Sequence, residues 1–278
     1  FGDVRGRGFL LGATAGRTTL NGEGLQHQDG HSQLFAFAFP KVRAYDPAYA
    51  YEIAVIIRDG LRRMLEEDED CLYYLTLYNE NYMMPPLPEG VEEGILKGLY
   101  RLPSEGAPPK KPVAHAQILG SGSILHQCVL EARKILIEEF DVAAEAWSVT
   151  SYQQLFRDAR ECERQNRFVP PSEGKKSYLQ ETLDGVKGPI IAVSDWVQEI
   201  PAMLVGYVEQ TLIPLGTDGL GRSDTREALR RHFEIDAGAI VIATLSQLAK
   251  EGSVDWKVVQ GAMKRFDWSD EKVDPFGL

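Results

Sequence analysis

A helical repeat that runs straight into a nearly continuous β-rich segment constrains this chain more than any other feature. From 48 to 66, apolar residues at Ala50, Ile53, Ala54, Ile57, Leu61, Met64 and Leu65 recur on one helix face. After an acidic turn at 66–70, the segment CLYYLTL (71–77) is apolar and aromatic almost without a break. That is the composition of a strand buried on both faces of a parallel sheet. Parallel neighbours need a crossover helix, so the order predicts a doubly wound α/β layer with ligands at the carboxyl ends of its strands. Apolar strands at 8–13 and 42–44 complete the set, and 33–39 (QLFAFAF) fits either helix or strand. Asp46 suits a helix N-cap, with Pro47 at the first helical position.

Polar clusters follow two of these strands. The first, GATAGRTTLNGEGLQHQDGHS (12–32), carries five glycines and holds Glu23, His27, Asp29 and His31 within nine positions. Glycines let a backbone approach a ligand closely, and imidazoles with carboxylates are the groups that move protons near neutral pH. His27 and His31 are four apart, a spacing that suits a metal on a helix. The glycines argue against a helix there, no HExxH pattern exists, and a third ligand is normally needed. No metal ligand is therefore assigned, and a proton-transfer or substrate-polarising imidazole is the expectation. The second cluster, Asn79-Glu80-Asn81-Tyr82, follows 71–77.

The stretch 103–112 (PSEGAPPKKP) packs four prolines into ten residues and marks a break in the chain. Beyond it the alternation restarts. Strands are predicted at 113–119, 143–149, 189–193 and 211–215, with helices at 124–140, 152–165 (capped by Ser151), 225–232 and 237–250 (capped by Asp236). A short helix at 197–206 is broken by Pro201. The expected organisation is one α/β domain over 1–106, a linker at 107–112 and a second α/β domain with a mostly parallel sheet over 113–278. Residues 120–123 (GSGS) lack a full GxGxxG and read as a tight βα turn. In 216–222 (GTDGLGR), Asp218 and Arg222 are expected to meet each other or solvent, and His115, His126 and His232 read as structural.

The net charge of −11 argues against nucleic acid or an anionic membrane as a main partner, and no apolar run approaches a bilayer's thickness. Three separated cysteines without a CxxC pair point to a reducing, cytoplasmic setting. The opening FGDVRGRGFLLGA has no initiator Met and enters a strand at once, so the chain reads as the tail of something longer.

Five segments in order, GRTTLNGEGLQHQDGHS (16–32), YDPAYAYE (45–52), NENYMMPPLPEG (79–90), LGSGSIL (119–125) and LGTDGLGRSDTREALRRHFEID (215–236), resemble the carboxyl-terminal part of one family. It is the homodimeric-type pyruvate dehydrogenase (acetyl-transferring), in the transketolase superfamily. The likeness covers essentially the whole chain. It implies the end of a thiamine-diphosphate (pyrimidine) domain followed by a transketolase C-terminal-like domain. It also implies decarboxylation of pyruvate with thiamine diphosphate and Mg, and reductive acetylation of the lipoyl group of a dihydrolipoamide acetyltransferase, by a homodimer. His27 matches the histidine of the GEGLQH motif beside the cofactor. Glu23, Asp29 and His31 share its loop, and Asn79 and Tyr82 are weaker channel candidates. The resemblance puts the cofactor-activating glutamate and the magnesium-diphosphate ligands upstream of Phe1. An isolated chain is then expected to be inactive. Met83 departs from a histidine found in some members, so no role is placed there. The alternatives are a transketolase-like enzyme acting on sugar phosphates, with Arg17 as the nearby phosphate candidate, and a non-catalytic dimerising or scaffold module.

Overall fold

In a computed structural model, which describes residues 1, 3–104, 109–269 and 271–277, two sheets meet at the carboxyl ends of their parallel strands. Of the expected linker, residues 107 and 108 lie outside the described residues.

The first sheet has three parallel strands: β1 (Gly8–Ala13), β2 (Val42–Tyr45) and β3 (Leu72–Leu77), in the order β1-β3-β2. Leu72 registers with both Gly8 and Val42, so the three strands start level, and β2 stops at the register of Leu75 while β1 continues to that of Leu77. The central strand β3 is the buried CLYYLTL segment, with Tyr73, Leu75 and Thr76 fully enclosed. The ambiguous 33–39 stretch forms a short helix, α1 (Ser32–Ala36).

Helix α2 (Ala50–Leu61) covers one face, and Asp46 does not cap it. The chain stays extended to Tyr49, and the buried Glu52 carboxylate reaches back to the Ala48 and Tyr49 N–H groups. Glu52 also accepts from the Tyr100 and Ser148 hydroxyls at 2.6 Å each, so this cap ties α2 to the second sheet. Asp46 is left free to point into the junction.

After α3 (Glu92–Lys97), the second sheet takes in β4 (Tyr100–Arg101), β5 (Ala114–Gly120), β6 (Val142–Ser148), β7 (Ile190–Val193) and β8 (Leu212–Leu215). Its order is β4-β6-β5-β7-β8, with β4 antiparallel and the rest parallel. Helices α4 (Gly122–Ile124), α5 (Leu130–Phe140), α6 (Tyr152–Asn166), α7 (Tyr178–Thr182), α8 (Glu199–Ala202), α9 (Arg226–His232), α10 (Ala237–Lys250) and α11 (Trp256–Arg265) surround it. Ser151 and Asp236 cap α6 and α10 through their side-chain oxygens, as read from sequence, and Thr225, read as the first residue of its helix, caps α9 in the same way. One apolar core runs through both sheets, joining Tyr45, Tyr73 and Leu75 to Ile118, Val129 and Val193. Main-chain bonds stitch the strand ends together: Asp46 N–H to Thr150 O at 2.7 Å, and Gly122 N–H to Asp46 O at 3.0 Å. Among the described residues, no helix is long and apolar enough to cross a membrane.

Candidate active-site loop

The polar loop leaves β1 at the carboxyl end of the first sheet and runs along the seam with the second. Its two halves behave differently. Residues 15–20 are all buried. The Ala15 N–H donates to Leu77 O at 2.8 Å, holding the loop's start to the end of β3. The Thr18 N–H lies 3.1 Å from each oxygen of Asp195, which follows β7. Gly16, at φ +82°, passes so close that a Cβ there would overlap the Asp195 carboxylate, which explains the glycine.

Arg17 is 2 % exposed. Its guanidinium donates to Gly219 O, lies 5.7 Å from the Phe233 ring centre, and comes within 3.5 Å of His31 Nδ1. Burial lowers its pKa, and it is not placed to receive a phosphate. The sequence-level phosphate candidate is thus a packing residue.

The outer half carries the predicted chemistry. His27 Nδ1 sits 3.3 Å from Glu23, with the two side chains 57 % and 49 % exposed. One oxygen of Asp29 accepts from the His31 and Ser32 N–H groups at 3.0 Å each, fixing the start of α1. His31 is exposed, its ring stacked on Phe35 at 6.4 Å. Between them Gln28 is buried, and its amide pairs with both main-chain groups of Arg222: Nε2 to O at 2.6 Å, and N–H to Oε1 at 2.8 Å. The loop therefore exposes Glu23, His27 and His31, pairing Glu23 with His27 and Asp29 with the His31 main chain, and nothing in the geometry ranks His27 above His31.

The weaker candidates divide. Asn79 is exposed and connects to the loop through Arg226, which donates to Asn79 O at 2.6 Å and to Thr19 O at 2.8 Å. Tyr82 is turned elsewhere, its hydroxyl on Ala48 O and its ring stacked on His126 at 4.8 Å. Asp218 accepts from the Gln198 N–H at 2.8 Å rather than meeting Arg222, whose main chain is held by Gln28.

Behind the loop lies a buried polar layer that sequence reading missed. Asp46 accepts from Thr76 Oγ1 at 2.6 Å, Trp196 Nε1 at 2.9 Å and the Tyr78 hydroxyl. Burial raises its pKa, although these hydrogen bonds favour its charge. Burial likewise pushes the Asp195 carboxyl up to about 7, against the bonds from Thr18 and the nearby Arg230 charge. Glu80 and Arg230 form an enclosed ion pair at the edge of this layer. The missed contacts join residues far apart in sequence, such as Thr18 and Asp195 at a separation of 177.

Among the described residues, no group of three or more His, Cys, Asp or Glu is arranged to hold a metal.

The pyruvate dehydrogenase E1 component middle-domain model matches residues 1–85, and the transketolase-like C-terminal domain model matches 98–236. Pyruvate dehydrogenase E1 components of Pseudomonas aeruginosa and Escherichia coli K12 are each 48 % identical over 99 % of this chain. That of Mycobacterium tuberculosis is 46 % identical over 98 %. The chain spans 31 %, 30 % and 29 % of those proteins' lengths respectively. Among solved structures, transketolase from Campylobacter jejuni superposes with a TM-score of 0.59 at 17 % identity, covering 86 % of this chain and 31 % of its own. A split-gene transketolase, described as an inactive β4 tetramer, gives 0.53 at 14 % identity, covering 87 % of this chain and 67 % of its own. At such identities these structures establish the fold: α/β, transketolase-like, with mostly parallel sheets. The chain belongs, over residues 98–236, to the transketolase-like C-terminal domain family, and over 99 % of its length it is similar to part of the pyruvate dehydrogenase E1 components.

Proposed function

We propose that this chain forms one wall of the active site of an acetyl-transferring pyruvate dehydrogenase, the decarboxylating component that feeds a lipoyl-carrying acetyltransferase. The observation that carries the reading is the loop at the carboxyl end of β1, which fixes its main chain by burial while presenting His27 and His31 to solvent. Thiamine diphosphate, when bound, supplies the electron sink for loss of carbon dioxide from pyruvate. The chain's own contribution is to place two imidazoles and a carboxylate where the substrate's carboxylate is oriented and protons are moved. His27 Nδ1 lies 3.3 Å from a Glu23 carboxylate oxygen, and His31 Nδ1 faces the Arg17 guanidinium. Magnesium and the diphosphate are held by residues outside this chain, and the working enzyme is a cytoplasmic homodimer. The first α/β unit runs over 1–106 and the second over 113–278, with β4 reaching from ahead of the proline-rich stretch to the edge of the second sheet.

The test is a pair of assays. Calorimetry of the chain alone with thiamine diphosphate and magnesium should show no tight binding. The chain joined to the remaining two thirds of an E1 polypeptide should decarboxylate pyruvate and acetylate a lipoyl domain. Tight cofactor binding by the chain alone, or turnover of ketose phosphates with an aldose acceptor in place of pyruvate, would overturn the reading. A non-catalytic role draws on one observation, the inactivity stated for the split-gene transketolase tetramer. Self-association with no gain of activity on supplying the rest of the enzyme would favour it.

A further inference from the structure

The site loop belongs to the first sheet by sequence, yet most of what holds it comes from the second unit. Asp195, after β7, takes the Thr18 N–H on both oxygens. The Val197 N–H donates to Gly30 O at 3.0 Å, and the Gly22 N–H donates to Asp224 O at 3.0 Å. Ser223 Oγ donates to Gly22 O at 2.6 Å, and the Arg226 N–H donates to Asn21 Oδ1 at 3.0 Å. Gln28 is held at two points, its buried amide occupying both main-chain groups of Arg222 as a neighbouring strand would. Gln28 lies between His27 and Asp29, so its anchoring holds the main chain from which both side chains extend.

Resting on the function proposed above, we infer that the second unit is a positioning frame for the catalytic loop, with Asp195 and Gln28 as its positioning residues. Asp195 holds the buried entry of the loop, and Gln28 holds the exposed rim that carries the imidazoles. The two anchors act on different segments, so loosening one leaves the other's segment ordered. Neither side chain reaches the rim itself: Asp195 is fully buried and Gln28 is 6 % exposed. Their effect on rate is through placement, to which reaction geometry is steeply sensitive.

Hydrogen exchange of the full chain, without substrate or cofactor, reads the frame directly. Asp195→Ala should speed exchange of the amides at 16–20 about tenfold. Asp195→Asn keeps an acceptor oxygen for the Thr18 N–H and should stay within about twofold of wild type. Gln28→Ala should speed exchange over 24–29 and leave 16–20 unchanged, with the β3 amides unaffected in every variant. In the full-length enzyme, Asp195→Ala and Gln28→Ala should lower kcat for pyruvate about tenfold with KM within about twofold, and Asp195→Asn should restore kcat. Unchanged loop exchange in both alanine variants overturns the inference, as does a rise spread evenly over both sheets, which would make these residues general stabilisers. If the exchange pattern appears and no variant or wild type turns over pyruvate, the frame stands and the assigned reaction falls.

Discussion

Two glycine-rich turns in this molecule look alike in sequence and end in opposite states. The loop after β1 and the turn at 120–123 after β5 both leave the carboxyl end of a parallel strand with small and polar residues. The 120–123 turn is buried throughout: Gly122, at φ +53°, donates to Asp46 O, and the Tyr78 ring fills the space where a Cβ would stand. The loop after β1 buries its first half in the same seam, then emerges and exposes Glu23, His27 and His31. A strand-end turn therefore becomes a site when it is long enough to anchor at both ends and still surface in the middle. The short turn has no residues to spare for the surface.

The largest expected contrast is in how the two are anchored. Asp46 holds the short turn through a main-chain oxygen, which does not titrate, whereas Asp195 holds the loop through a carboxyl pushed from 3.8 to about 7. Between those values the folded chain keeps a proton that the unfolded chain has lost. The stability that Asp195 contributes is therefore fully present below about pH 4 and falls as pH rises to about 7, a loss of about 4 kcal/mol at this shift. Burial of Asp46 and Glu52 raises them with the same sign, so denaturant melts of Asp195→Asn across that window should lose only the Asp195 share of the slope. Next, Gly122→Ala should cost about 3 kcal/mol in chemical denaturation, from a strained positive φ and overlap with Tyr78. Gly22→Ala on the outer loop has φ +72° with nothing within 4 Å of a Cβ, and should cost about 1 kcal/mol. Smallest is Glu23→Gln: its half-exposed pairing with His27 should shift stability by less than about 0.5 kcal/mol. Equal costs for the two glycine variants would erase the contrast.

Much of this fold was legible because its information is local. CLYYLTL can be little other than a buried strand, and the caps at Ser151 and Asp236 lie beside the helices they start. Two-residue β4 is too short to leave a pattern, and α11 has only Val259 and Ala262 buried, so neither was read. Asp46-Pro47 looked like a helix start. Donors from Thr76, Tyr78 and Trp196, distant in sequence and adjacent in space, take the Asp46 carboxylate instead. The site divides in the same way. Its exposed acids and imidazoles were visible as an unusual composition, while Asp195, Gln28 and the burial of Arg17 depend on which strand ends meet. The choice of His27 over His31 came from the family resemblance, and the geometry leaves both on the rim.

The central claim, that this rim faces the reacting substrate, is tested most directly by His27→Ala and His31→Ala in the full-length enzyme, assayed for acetyl transfer from pyruvate to a lipoyl domain. The account predicts that at least one of them loses on the order of 100-fold in kcat, with thiamine diphosphate affinity and melting temperature unchanged. Wild-type acetyl transfer in both would contradict it.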